Sequence, residues 1–553
     1  MQRTAFPRRR PLVQVIVGLA AAVLPALAIQ AAPLAGNLIG VYHFGTAVTV
    51  NDLAGTASVN GSGGRGELLL ASDGNFYSVM STGGAAGAGV VMRVGPDGSA
   101  VVLHAFKGDT TEGAVPYAGV IQASDGNLYG TTYAGGTKSL GAVYRVGLDG
   151  TYTTVYSFTS DTQGGYHPYA GLVQGPDGAL YGTTLQGGST KSGTVFRLTL
   201  DGSYTQLFSF TGANGSNPEG SLIVGRDGLL YGTTMTGGTN DRGTVFKITT
   251  TGTHTLLHSF ETLGNFNANG DGVNANGSNP RAGLRQGPDG NFYGTAYNGG
   301  PGGYGTVFRI TPSGTVSLVH GFVGMPGDGA HPLSPVTVMP DGTLYGTASA
   351  AGSSGGGVAW RASAAGVWSI LHAFTGSAQS LLTSDMSIVD GTTPYVGLVP
   401  LNGQLYGMTF TDIATSSGNL FKIDVGSGGV LPVNFSVSPE SITLGGSAVL
   451  TWSSPTAAKC STSEAWAETI ATSGTVAVSP ASAGVFNYAI SCTDGAGVTR
   501  YTRAALTVTT PPTKSVDGGA TNGGGGAAGI LSLLLLAGAS GAVVRRRLRP
   551  ASL

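Results

Sequence analysis

Across residues 170–210, AGLVQGPDGALYGTTLQGGSTKSGTVFRLTLDGSYTQLFSF, short runs of apolar, aromatic and β-branched positions are separated by turn residues. Val173, Leu180, Tyr181, Val195, Phe196, Leu198, Leu207, Phe208 and Phe210 fill strand positions, and Pro176-Asp177-Gly178 and Asp201-Gly202 fill tight turns. The pattern predicts four short strands, a to d.

The same unit recurs from about residue 38 to residue 425. Its marker tyrosine stands at Tyr77, Tyr129, Tyr181, Tyr231, Tyr293, Tyr345 and Tyr406, with gaps of 52, 52, 50, 62, 52 and 61 residues. A period near 50 with four strands per unit predicts β-propeller blades, because one such sheet cannot bury both faces until neighbours pack around an axis. Seven markers predict seven blades over residues 38–425. Six units end in a strand of the type Leu-His-x-Phe, whereas the seventh, ending at Phe421-Lys422-Ile423, has no such strand after it. An orphan copy, Val41-Tyr42-His43-Phe44, stands near the start. Residues 38–44 are therefore expected to pair with the strand around 419–423 and close the ring, removing exposed edges.

Strand order sorts the connections onto two faces. Short Asp-Gly turns between a and b, and between c and d, share one face. The b–c loops and the d–a crossings share the other, which also carries both long gaps, at 261–281 and 375–395. Insertions on one face of a repeat array mark its working surface. Most d–a crossings close with an x-Pro step, at Pro116, Pro168, Pro218, Pro280, Pro332 and Pro394, whose fixed φ aims the next blade inward.

Candidate binding residues on that face are Tyr117, His167, Tyr169, Asp271, Arg281, His331 and Tyr395. His167 and His331 differ from His43, His104, His258, His320 and His372, which occupy a strand-d position that Tyr156 and Phe208 fill in other copies, a packing site. Many aspartates belong to the repeated Asp-Gly turns; the acids left on the loop face, Glu112, Glu219 and Asp328 among them, are scattered without a pair of the kind glycosidases use. Residues 267–279 alternate Asn, Asp and Gly in a way that offers oxygen ligands to calcium, but with Asp271 as the single carboxylate. No resident cofactor is expected, with calcium at this loop the alternative. No phosphate loop is present, and no catalytic residue is assigned.

The D-G-x-L-Y-G-T block, the Gly-Gly pair after it and G-T-V-F-R/K-I/L, as in residues 193–198 and 243–248, resemble the GloVer-type choice-of-anchor tandem repeat of exported bacterial proteins. The resemblance implies propeller repeats and an anchored protein, and supplies no catalytic residue.

Composition shifts at a Gly-rich linker, residues 426–432, and residues 433–509 predict a small β-sandwich. An even cysteine pair in an exported chain, Cys460 and Cys492, predicts a disulfide. The segment resembles bacterial immunoglobulin-like domains, with Leu450-Thr451-Trp452-Ser453 before the first cysteine.

Glycine makes up 95 of 553 residues, yet 41% are hydrophobic, which calls for many turns rather than disorder. Charged residues are 10% and the net charge is -1, so no electrostatic footprint for nucleic acid exists. Residues 1–32, with Arg3, Arg8, Arg9 and Arg10 before an apolar run, read as a secretory signal peptide. A Pro/Gly-rich linker, 510–526, leads to an apolar run from 527 to 544, long enough to span a bilayer, with Arg545, Arg546 and Arg547 marking the cytoplasmic side. Together with Gly523, Gly524, Gly525 and Gly526, the tail 527–553 resembles GlyGly-type C-terminal sorting signals of Gram-negative bacteria, which implies cleavage by a rhomboid-type sorting protease. The alternative is a permanent single-span anchor.

The fold expected is therefore all-β: a seven-bladed β-propeller, an immunoglobulin-like β-sandwich, an N-terminal signal peptide and a C-terminal transmembrane sorting helix. The role expected is non-catalytic binding or display at the cell surface, or on the cytoplasmic membrane facing the periplasm if the tail stays. The ligand expected is a glycan, peptide or surface protein. The rival readings are a polysaccharide lyase or hydrolase acting at the propeller axis and a purely structural envelope protein.

Overall fold

A computed structural model describes residues 38–43, 47–48, 58–59, 63–159, 164–267, 272–324, 328–375, 391–411, 418–425, 433–454, 457–464, 469–494 and 499–510. The chain divides into two compact units, Met1–Thr510 and Pro511–Leu553, and the second lies outside the described residues. The same holds for the signal peptide 1–32, the linker 426–432, the sorting residues Gly523 to Gly526 and Arg545 to Arg547, and Asp271. The described residues are all β, with no helix long and apolar enough to cross a membrane among them.

Seven antiparallel sheets of the same design follow one another from residue 69 to residue 424. In the third, Val173–Gln174, Leu180–Thr184, Thr194–Leu198 and Tyr204–Ser209 pair in sequence order. Leu180 lies opposite Leu198 and Thr194 opposite Ser209. The seventh takes Val399–Leu401, Gln404–Thr411 and Asn419–Asp424, and its outer strand is Leu38–His43 from the far end of the chain, with Leu38 opposite Ile423 and His43 opposite Asn419.

Local chemistry explains why this unit repeats. The buried ring of Tyr181 points its hydroxyl back to the a–b turn, where it donates to Asp177; Tyr77, Tyr129, Tyr231 and Tyr293 do the same with Asp73, Asp125, Asp227 and Asp289. Gly182 lies under the ring of Phe196, 2.5 Å from where a Cβ would sit, so the glycine of the L-Y-G-T block makes room for the aromatic of strand c. Thr131, Thr233 and Thr295 each donate a buried hydroxyl bond to a carbonyl of the following unit, at Ala170, Ala282 and Ser334.

The core lies between sheets rather than within one. Tyr181 and Val195 of the third pack on Leu222, Leu230 and Phe246 of the fourth. Tyr406, Met408 and Leu420 of the seventh pack on Phe76, Met80 and Met92 of the first. On the outer strands, ring stacks join neighbours: His104 on Tyr152 at 4.2 Å, Tyr156 on Tyr204 at 4.4 Å, Phe208 on His254 at 4.2 Å and His320 on Trp368 at 3.5 Å. The packing role of the strand-d histidines is thus, at His104 and His320, a stack on the neighbouring sheet. Two of them also meet acids that read as scattered loop residues in the sequence: His104 lies 3.1 Å from Glu112 and His320 3.1 Å from Asp328.

Residues 433–510 form a three-stranded sheet (Asn434–Ser438, Ala448–Ser453, Ser473–Val478) and a five-stranded sheet (Ser441–Thr443, Thr499–Thr509, Gly484–Asp494, Ala457–Glu464, Thr469–Ile470). Cys460 and Cys492 form a disulfide. They face each other on paired strands, so the bond lies within one sheet, whereas in antibody domains it joins the two sheets. Trp452 of the other sheet packs against it.

Candidate binding site

The residue that follows each x-Pro step stands four positions before strand a of the next sheet, as Tyr117 does before Ile121–Gln122 and Tyr169 before Val173–Gln174. These residues are Tyr117, Tyr169, Glu219, Arg281, Leu333 and Tyr395, and in the first sheet, where Gly64 replaces the proline, Arg65. All seven line one cavity of about 100 Å³. The positions two residues further on, Glu67, Gly119, Gly171, Ser221, Gly283 and Pro335, line it too, and so do Ala118, Ala170, Gly220 and Ala282 between them. A Cβ on Gly119 would lie 2.3 Å from the Glu67 carbonyl oxygen, so the segments that lead into strand a approach backbone to backbone and the cavity stays narrow.

The backbone that sets this ring is strained. The residue before each proline has a left-handed conformation: Val115 (φ 56°), His167 (55°), Asn217 (54°), Asn279 (56°), His331 (54°) and Thr393 (55°). Such values are outliers for β-branched residues. Hydrogen bonds on both sides over-determine them. His167 N–H donates to Leu140 and its carbonyl accepts from Leu185 N–H; Asn217 does the same with Ser192 and Met235, and His331 with Tyr304 and Ser349. Each of these residues stands two positions before a cavity residue, so the turn sets where that residue points.

The side chains form a mixed polar and aromatic wall. The Arg65 guanidinium lies 5.3 Å from the centre of the Tyr117 ring, 5.3 Å from that of Tyr395 and 5.0 Å from that of Phe410, within cation–π range. It also donates to the Tyr169 hydroxyl at 3.3 Å. The rings of Tyr117 and Tyr169 are 5.0 Å apart. On the far side Glu219 faces Arg281 at 3.7 Å, and Arg281 lies over the Tyr297 ring at 4.7 Å. Burial pushes the Glu219 carboxyl up, with Arg281 and Arg65 only partly offsetting it. Burial likewise pushes the Tyr169 hydroxyl up, against the pull of Arg65. A second cavity, about 490 Å³, is lined by Leu69, Ile121, Thr337, Val399 and Leu401. Glu67 is common to both cavities, and it is ion-paired with Arg285.

Of the residues singled out in the sequence, Tyr117, Tyr169, Arg281 and Tyr395 meet in this cavity. His167 and His331 stand behind it: each ring stacks on a tyrosine, Tyr133 at 4.4 Å and Tyr297 at 4.6 Å, with Nδ1 at 2.8 and 3.0 Å from that tyrosine's carbonyl oxygen. Arg65 and Glu219 were missed as site residues. Aligning the copies on the residue after proline would have found Glu219; Arg65 was hidden because its copy carries Gly64. Among the described residues no group of three or more His, Cys, Asp or Glu side chains is arranged to hold a metal.

The Gloeobacter/Verrucomicrobia repeat matches residues 64–273 and 273–441. No curated protein matches the chain. Among solved structures, the extracellular domain of a protein described as a hybrid two-component system of B. thetaiotaomicron is 11% identical, with 86% of this chain and 58% of that one covered and a TM-score of 0.44. The extracellular domain of a one-component system of the same organism is 12% identical, with 85% and 59% covered and a TM-score of 0.39. A gluconolactonase of Xanthomonas campestris is 14% identical, with 61% and 98% covered and a TM-score of 0.35. The chain spans about three-fifths of the length of the two extracellular domains.

Proposed function

The chain belongs to the Gloeobacter/Verrucomicrobia repeat family, and from that premise we propose that its seven sheets are the blades of one closed β-propeller serving as the binding domain of an exported, surface-anchored protein. The recognition site is the cavity at the loop-face end of the axis. The sandwich, read as an immunoglobulin-like spacer, and the tail that follows it hold this face clear of the envelope.

The observation that carries this reading is the convergence of Arg65, Tyr117, Tyr169, Glu219, Arg281, Leu333 and Tyr395, spread over some 330 residues of sequence, on one cavity. A scaffold needs no such wall, and these side chains change in charge and chemistry from copy to copy, whereas most of the packing positions between sheets stay apolar or aromatic. Aromatic faces with a few directed polar groups suit the face and edge of a sugar ring, so the ligand class is a glycan. Export is supported by the basic and apolar start of the chain and by the Cys460–Cys492 disulfide.

One contact favours the lyase reading: Tyr169 and Arg65 lie within hydrogen-bond reach, as a base and its cationic partner would. The direction of the Tyr169 shift opposes it, since a proton-abstracting tyrosine needs its hydroxyl brought down toward neutral pH and burial moves this one up.

The test is a glycan array probed with the full chain and with Tyr117→Ala and Tyr395→Ala. Binding to a defined set of glycans that both variants lose supports the reading. Binding untouched by either variant, or release of unsaturated products from a polysaccharide, contradicts it.

A further inference from the structure

We infer that the axial cavity takes the carboxylate of a hexuronate residue, with Arg65 as its principal ligand and Arg281 beside it. This rests on the reading of that cavity as the recognition site, and goes on to name the chemistry it selects.

The argument begins with a count of charge. Glu67 is matched by its ion pair with Arg285. Glu219 faces Arg281, but at 3.7 Å the contact is too long for a charge-assisted hydrogen bond, which closes at about 2.7–2.9 Å. Arg65 has aromatic faces and one phenol around it and feels Glu219, which Arg281 already faces, only at longer range. The cavity therefore carries one unmatched positive charge. Its hydrogen-bonding capacity is likewise unspent, because the buried Nε atoms of both Arg65 and Arg281 have no hydrogen-bond partner. Buried donors without partners are costly, and a planar acceptor that meets a guanidinium fork satisfies them.

Size and surroundings narrow the ligand. A volume of about 100 Å³ is below the roughly 150 Å³ of a cavity that takes one benzene. It admits a carboxylate and its neighbouring carbons but not a whole pyranose. The ring of a hexuronate that inserts its acid group is then left at the mouth, against Tyr117, Tyr169 and Tyr395. A single unmatched charge suits a monoanion better than a phosphate ester. Of the two carboxylates that line the cavity, Glu67 is held by Arg285, and Glu219, with a side chain only 13% exposed, has a charged form that burial already disfavours.

The acid can arrive as a free hexuronate or as a residue of an acidic polysaccharide. Titration calorimetry on the full chain separates these, using glucuronate, galacturonate and mannuronate, their trimers, the three neutral hexoses, and inorganic phosphate. The expected result is that at least one hexuronate or its trimer binds at least tenfold more tightly than its neutral hexose and than phosphate. Arg65→Gln then lowers that affinity at least tenfold, and Glu219→Gln, judged folded by its melting transition, keeps or raises it. Binding by the trimers alone assigns the site to a polymer, and equal binding by the monomer assigns it to the free acid. Equal affinity for neutral and acid sugars, lost in Tyr117→Ala, overturns the carboxylate and leaves the cavity as the site. Hexuronate binding unchanged in Arg65→Gln, Arg281→Gln and Tyr117→Ala overturns both. Binding of phosphate in preference, or no binding by any hexuronate, overturns the inference.

Discussion

The hydroxyl of Tyr181 donates to Asp177 Oδ2 at 2.9 Å, and Arg197 Nε donates to the same oxygen at 2.8 Å. The marker tyrosine and the turn aspartate four residues before it are thus one device: the ring fills the space between sheets while its oxygen ties down the a–b turn. Burial pushes the Tyr181 hydroxyl up to about 12, with the Asp177 bond adding to the effect. A group raised in this way contributes stability that is complete below its ordinary value near 10 and is lost as pH rises through 12. Tyr181→Phe is expected to cost about 1–2 kcal/mol at pH 7 and to flatten the alkaline limb of the stability profile, measured by urea denaturation between pH 7 and pH 12. An unchanged alkaline limb would show that the bond contributes nothing.

Gly182 and Phe196 form a second coupled pair. A methyl at residue 182 meets the Phe196 ring at 2.5 Å and Leu172 at 2.9 Å, and overpacking of this kind costs about 1–3 kcal/mol. Gly182→Ala should destabilise by that amount, and Phe196→Leu in the same chain should recover part of it. The first sheet already shows the alternative solution, since Ser78 there lies opposite Met92. Additive losses in the double variant would contradict the coupling.

His254 sets an acid sensitivity. Its ring stacks on Phe208, and burial alone pushes its pKa down to about 4. The fold holds it neutral, so its contribution is complete above the ordinary value near 6.5 and is lost as pH falls from there toward 4. His254→Phe keeps the stack and removes the proton site. The variant should lose less stability than the native chain between pH 6.5 and pH 4 in thermal melts; parallel losses would sink this assignment.

Leu38 comes from the far end of the chain, yet it is 4% exposed and packs with Leu371, Phe374, Phe421 and Ile423. Leu38→Ala should cost about 2–5 kcal/mol, as a buried core leucine does. A loss under about 0.5 kcal/mol, as at an exposed site, would mean that the first strand does not hold the seventh sheet in solution.

The strands were legible because one pattern is written seven times, and a position that accepts His, Tyr or Phe in different copies declares itself as packing. The pairing of Leu38–His43 with Asn419–Asp424 was legible from arithmetic, six terminal strands for seven markers. The bond between Tyr181 and Asp177 was not, because each residue had a sufficient local explanation of its own. The site was half legible. Tyr117, Tyr169, Arg281 and Tyr395 stand out as unusual residues on the variable face, but Glu219 looked like a lone solvated acid, because proximity to Arg65 and Arg281 is a property of the shared cavity and not of any one repeat. The left-handed backbone at Val115 and Thr393 runs against the preferences of β-branched residues and has no signal in composition. Neither does the placing of the Cys460–Cys492 bond within a sheet, which depends on register.

The central claim is that one ligand is held by residues from all round the axis. Hydrogen–deuterium exchange of the full chain, with and without a bound glycan, tests it most directly. The account predicts coincident protection in segments far apart in sequence, around residues 63–67, 117–119, 169–171, 219–221, 281–283 and 395–397, with little change on the Asp-Gly turns. Protection confined to a single sheet, to the 261–281 insertion or to residues 433–510 would contradict it.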